Sequence, residues 1–96
     1  KILTLNSECE LIFVSTTLPN PIAKTFVGNH ANHESLLAEL ADSYGTNADI
    51  ARVTSMHQRL MERKNYYDMT GNNINHPNDF LARIYAQTLL QCIIEL

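Results

Sequence analysis

The sequence predicts an α/β fold, an open layered sheet with right-handed crossovers through helices. Three observations carry that expectation. A short apolar, β-branched run stands at residues 10–17. A stripe of 3.6-residue periodicity occupies the C-terminal stretch from Asp79. Between them the segments alternate, giving the order strand, helix, strand, helix, loop, helix.

The first strand candidate is ELIFVSTT, residues 10–17. Its consecutive Leu11, Ile12, Phe13 and Val14 suit a strand buried on both faces, as in a parallel sheet. The run ends at LPNP, where Pro19 and Pro21 remove backbone donors and impose an extended loop to about Asn32. Asn32 is the candidate cap of a helix through Tyr44. Leu36, Leu37, Leu40, Ala41 and Tyr44 would form its inward face, and Gly45, free to take positive φ, its stop.

Residues 49–54, DIARVT, form a second and weaker strand candidate, interrupted by Arg52. Ser55 can cap a short helix through Lys64, with Met56 and Leu60 facing inward. Residues 65–75 lack periodicity and read as a loop. In the last segment Leu81, Ile84, Tyr85, Thr88, Leu89, Cys92, Ile93 and Leu96 share one helical stripe. Two strands are too few for a stable sheet. A second chain, or a further part of the same sheet, is expected to complete it, and the exposed sheet edge favours self-association.

The 96 residues make one unit, 1–96, with a modest core, since a chain of this length buries only about 60–65% of its unfolded surface. Hydrophobic residues at 45% and charged residues at 18% are ordinary for a globular chain and argue against disorder. The net charge of -3, with no cluster of Lys or Arg, makes nucleic acid a poor partner, because phosphate binding is largely electrostatic. No apolar run approaches the roughly 20 residues that a membrane-spanning helix needs. The opening KILTLNSECE is no signal core, and a first residue of Lys suggests a chain excised from something longer. Cys9 and Cys92 have no CxxC spacing and read as buried free thiols, in a cytoplasmic or a secreted setting alike.

The chemistry centres on NNINHPND, residues 72–79. A residue before proline is pushed out of the α region, so His76 belongs on the loop side of the boundary. Pro77 suits the first turn of the helix, and Asn78 and Asp79 can satisfy its open amides. The imidazole is thus held at a loop end beside a rigid element, a good place for a proton carrier. From spacing alone, a surface histidine beside a helix start explains the same residues.

Residues 66–90, YYDMTGNNINHPNDFLARIYAQTLL, resemble the last block of the SGNH (GDSL-type) hydrolases. In that family a D-x-x-H-P motif, commonly followed by Asn, precedes the C-terminal helix. Here His76-Pro77-Asn78-Asp79 is followed by the long amphipathic pattern. ELIFVSTTLPNP is similar to the family's late central strand and its Pro-containing loop. The resemblance covers nearly all 96 residues, as the C-terminal part of a three-layer αβα, flavodoxin-like domain.

What the resemblance implies is a serine esterase or acylhydrolase acting on small acyl esters, acetyl groups on carbohydrate among them, with no cofactor and no metal. His76 would be the general base, taking the serine proton during attack on the ester and returning it to the leaving alcohol. Asn73 stands where the family has aspartate, and is the candidate orienting residue. Asp68, Asp79 or a backbone carbonyl are substitutes, and a turn role in Gly-Asn-Asn is the other use of Asn73. Asparagine can fix the imidazole tautomer but adds no charge to stabilise imidazolium; in one serine protease that change costs about 10⁴ in rate.

No Gly-Asp-Ser and no G-x-S-x-G is present, so this chain lacks the nucleophile. Ser7, Ser15, Ser35, Ser43 and Ser55 read as caps or loop residues. The rival expectation is a non-catalytic interaction module, or an inactive hydrolase-like fragment, in which NNIN supplies only turn chemistry. His30 and His33 form an isolated H-x-x-H, better explained as a solvated helix start than as a metal site. His57 reads as a surface residue. Tyr66 and Tyr67 pack the loop or line a cleft, and Met56, Met61 and Met69 fill core or near-core space.

Overall fold

A computed structural model describes residues 1–23 and 29–94. Its described residues form a mixed α/β unit with four helices and two strands: α1 (Ile2–Leu5), β1 (Leu11–Val14), α2 (His30–Ser43), β2 (Ala48–Ala51), α3 (Val53–Met61) and α4 (Asp79–Ile93). Single 3₁₀ turns lie at Gly45–Asn47 and Tyr66–Asp68. The strands pair in parallel, with Leu11 opposite Ala48 and Val14 opposite Ala51. Helix α2 packs on both strands and on α3, while α4 packs on β2 and α3. The end of the predicted stripe at Leu96, and the middle of the loop expected to reach Asn32, lie outside the described residues.

Local signals account for several boundaries. Gly45 adopts φ +64 just beyond the end of α2, the left-handed stop expected of it. The Asn78 side chain accepts a hydrogen bond from the Leu81 amide at 3.1 Å and caps α4. Pro77 lies not in the first turn but two residues before the first helical residue, Asp79, where it bridges to Thr70. Helix α2 begins at His30 and not at Asn32, whose amide instead donates to Asn29 Oδ1 at 2.8 Å.

Two expectations about burial fail, each for its own reason. Leu36, Leu40 and Tyr44 are exposed at 60%, 42% and 42%, whereas Glu34 and Ala41 are buried. The inward line of α2 is therefore Glu34, Leu37, Ala38 and Ala41, because a bonded carboxylate at Glu34 fixes the rotation of the helix. All four β1 residues are only half-buried, since β2 is the single strand paired to them among the described residues. Both cysteines are half-buried free thiols, more exposed than expected.

The core sits at the carboxyl end of the strands. Ala51, Val53, Tyr66, Met69 and Leu81 are buried there, together with Ser15, Asn20, Thr54, His57, Thr70 and Thr88. A packed chain of this length has a radius of gyration of about 12–13 Å; the value here is 14.9 Å. The core is thus small, polar and incompletely covered.

Candidate functional site

In open parallel sheets, function gathers beyond the carboxyl ends of the strands. Here three linked polar groups occupy that end, each built by side chains that reach well away from their own segment.

The first closes the strands onto α3. Ser15, just past β1, donates to Glu34 Oε2 at 2.6 Å. Its Oγ in turn accepts the Thr54 amide at 3.0 Å. The Ser55 amide donates to Glu34 Oε2 at 3.1 Å, and the Ser55 hydroxyl donates to Oε1. The open amides at the start of α3 are thus capped by a residue just past β1 and one on α2, with a carboxylate at the positive end of the helix. This is why α3 starts at Val53, ahead of the expected Ser55 cap, and why β2 ends at Ala51. Burial pushes the Glu34 carboxyl up, but the hydrogen bonds from Ser15 and Ser55, with the Arg52 guanidinium at 4.0 Å, outweigh it and hold the group below its ordinary value.

The second group surrounds His57, which is fully buried and not a surface residue. Val53, His57 and Leu60 share one helical face, a spacing that could have signalled inward placement. His57 Nδ1 accepts the Leu18 amide at 2.9 Å, and the ring stacks on Tyr66 with centroids 5.8 Å apart. Accepting through Nδ1 puts the proton of the neutral ring on Nε2, which is buried with no partner among the described residues. Burial drives the imidazole below its ordinary value and favours this neutral form.

The third group is the His76 loop. Thr70 and Pro77 form an antiparallel bridge. The Gly71 amide donates to the His76 carbonyl at 2.7 Å, and the Asn78 amide to the Met69 carbonyl at 3.0 Å. Inside this hairpin, Asn72 Oδ1 accepts the amides of Ile74, Asn75 and His76 at 2.9, 2.9 and 3.0 Å. The Thr70 hydroxyl accepts the Asn73 amide at 3.0 Å. One asparagine and one threonine thus supply the partners for a backbone that no helix or sheet would satisfy.

The loop is also tied to the segment after β1. The buried Asn20 donates through its amide nitrogen to Ile74 O at 2.7 Å, and through Nδ2 to Asn73 O at 2.8 Å. The Tyr66 hydroxyl donates to Ile74 O at 2.9 Å, with Leu18 O at 3.3 Å. Asn20 and Tyr66 therefore hold this loop; the sequence pointed to Tyr66 as a packing or cleft residue, but around Asn20 it marked only the prolines. Of the tyrosines assigned to loop packing, Tyr66 is buried and Tyr67 is 48% exposed.

His76 stands exposed at the end of this loop, one residue before Pro77. Its imidazole makes no hydrogen bond to a described residue. Asn73, at φ 60, engages the loop through its backbone, and no hydrogen bond joins its side chain to His76. Asp68 contributes its carbonyl to Asn78 Nδ2 at 2.6 Å, and Asp79 opens α4.

No serine hydroxyl among the described residues bonds to a histidine. Ser15 is only 2% exposed and is committed to Glu34. His30 and His33 lie in the first turn of α2 with ring centroids 6.2 Å apart. Among the described residues no group of three or more His, Cys, Asp or Glu side chains could hold a metal ion, and no helix is long and apolar enough to cross a membrane. The arrangement supplies one chemical element, an exposed imidazole on a hydrogen-bonded loop tied to the segment that leaves the carboxyl end of β1. No protein-family model, curated protein or solved structure matches this chain.

Proposed function

We propose that this chain is the C-terminal part of an SGNH (GDSL-type) ester hydrolase, a three-layer αβα domain of flavodoxin-like form, and that His76 is its general base. One observation carries the reading: His76 is exposed on a loop whose backbone is tied to the segment leaving β1, directly before the final helix. The half-covered β1 and the exposed Leu36, Leu40 and Tyr44 support a domain completed by a further part of the protein, or by self-association. That further part would supply the nucleophilic serine and the oxyanion donors. His76 takes the serine proton as the oxygen attacks a small acyl ester, then protonates the departing alcohol. Acylated carbohydrate is the favoured substrate class, with no cofactor and no metal in the cycle.

Asn73 is proposed to orient the ring, moving onto it in the substrate complex, where catalytic hydrogen bonds tighten. In the intact protein, His76→Ala should lower p-nitrophenyl acetate turnover on the order of 10²–10⁴-fold. Unchanged turnover would remove the assignment. The second reading, a non-catalytic interaction module, is favoured by the absence of an Asn73 to His76 bond and by the structural use of NNIN. Absence of a Gly-Asp-Ser segment upstream in the full coding sequence would select it.

A further inference from the structure

We infer that Asn20 is the positioning residue for the His76 loop, acting on it through the carbonyls of Asn73 and Ile74. The inference rests on the assignment of His76 as the base. The loop satisfies its own interior through Asn72 and Thr70, but that network leaves its attachment to the body of the protein open. Asn20 supplies that attachment from the far side, with its backbone amide on Ile74 O at 2.7 Å and its side-chain amide on Asn73 O at 2.8 Å.

Asn20 is 5% exposed, so water competes little for these bonds. Its Oδ1 accepts the Ile22 amide at 3.1 Å, which fixes the side chain. A primary amide presents an acceptor to Ile22 and a donor to Asn73 at once, which neither a carboxylate nor a hydroxyl reproduces at these distances. Asn20 is itself anchored, because Leu18, two residues earlier, donates to His57 Nδ1 at 2.9 Å. The Tyr66 hydroxyl meets Ile74 O beside it at 2.9 Å. The chain of contacts therefore runs from buried His57 through Leu18 and Asn20 to Asn73 and Ile74, and from there two residues to His76. Removing the Asn20 side-chain donor lets the loop shift and lets its Asn72-bonded amides open more often. Displacements of about 1 Å in a catalytic group cost on the order of 10²-fold in rate.

The test compares Asn20→Asp with Asn20→Ala in the intact protein. Asn20→Asp retains an oxygen for the Ile22 amide but cannot donate to Asn73 O. If Asn20 positions the loop, both variants raise hydrogen exchange at the amides of residues 73–76 about tenfold. Both also lower kcat for p-nitrophenyl acetate by about ten- to a hundredfold, with KM within about twofold. If Asn20→Asp behaves as wild type while Asn20→Ala does not, Asn20 shapes only its own turn and the inference is overturned. Faster exchange with unchanged kcat in a His76-dependent enzyme overturns it as well. If the wild-type protein shows no His76-dependent turnover, the esterase assignment falls. Exchange then decides alone: tenfold acceleration in Asn20→Asp supports the clamp, and a wild-type rate refutes it.

Discussion

Replacing Glu34 by Gln removes the charge from a side chain that accepts three hydrogen bonds in a buried site. Bonds to a charged acceptor contribute about 1.5–3 kcal/mol each, non-additively. The Arg52 partner is 55% exposed at 4.0 Å, so its contribution is screened and small. A glutamine oxygen can retain the two donors held by Oε2, while its NH₂ faces the Ser55 hydroxyl, which must turn from donor to acceptor and gives up its bond to a charge. The expected loss is about 2–3 kcal/mol at pH 7, a large share of a small domain's stability of about 5–15 kcal/mol. Glu34→Ala should cost about 3–5 kcal/mol.

The effect carries a pH signature. The folded-state pKa of Glu34 lies below its ordinary value of 4.5, so the unfolded chain takes up the proton first. The stabilisation is present above 4.5 and is lost as pH falls through the folded value. Urea denaturation of wild type and Glu34→Gln at pH 7 and in a descending acid series measures both features. A difference under about 0.5 kcal/mol at pH 7, within the usual range of a surface change, would refute the role given to this carboxylate. So would a gap that does not narrow in acid.

His57→Phe should keep the stack on Tyr66 but orphan the Leu18 amide, costing about 1–2 kcal/mol at pH 7.5. Because burial places the folded pKa of His57 below 6.5, wild-type stability erodes as pH falls from 6.5 toward that value. Denaturation midpoints between pH 7.5 and 5 should therefore slope less in the variant. Asn72→Ala withdraws the acceptor of three amides and should cost about 1–2 kcal/mol, with hydrogen exchange at Ile74, Asn75 and His76 rising while α4 stays protected. Gly71→Ala would bring a Cβ to 3.2 Å from the Pro77 carbonyl oxygen. Backbone cannot yield there without disturbing the hairpin, so a fall in Tm of about 4–8 °C is expected, near 1 kcal/mol.

Features specified within a few residues were legible. Helix α4 was marked by its stripe, Asn78 capped it, and Gly45 ended α2, because each signal and its partner lie within one turn. The β-branched LIFV run likewise located β1, trimmed at both ends. The start of α3 was not legible. Its caps are Ser15, 39 residues from Thr54, and Glu34, 21 residues from Ser55, so no local pattern at Val53 announces it. The same carboxylate turned the apolar residues of α2 outward against the leucine periodicity. A face at i, i+3, i+4 and i+7 from Glu34 was present in the sequence, but a charge at its head argued for solvent.

His76 at a helix entrance is determined by sequence alone, since proline restricts the residue before it and Asn78 begins the helix after it. That this loop is fastened to the end of β1 was decided only in three dimensions. Asn20, Tyr66 and His57 find their partners across 53, 8 and 39 residues. Periodicity and capping report which backbone groups can be satisfied nearby. Buried polar side chains must be satisfied by whatever the packed chain brings within hydrogen-bonding distance, and that choice belongs to the tertiary structure.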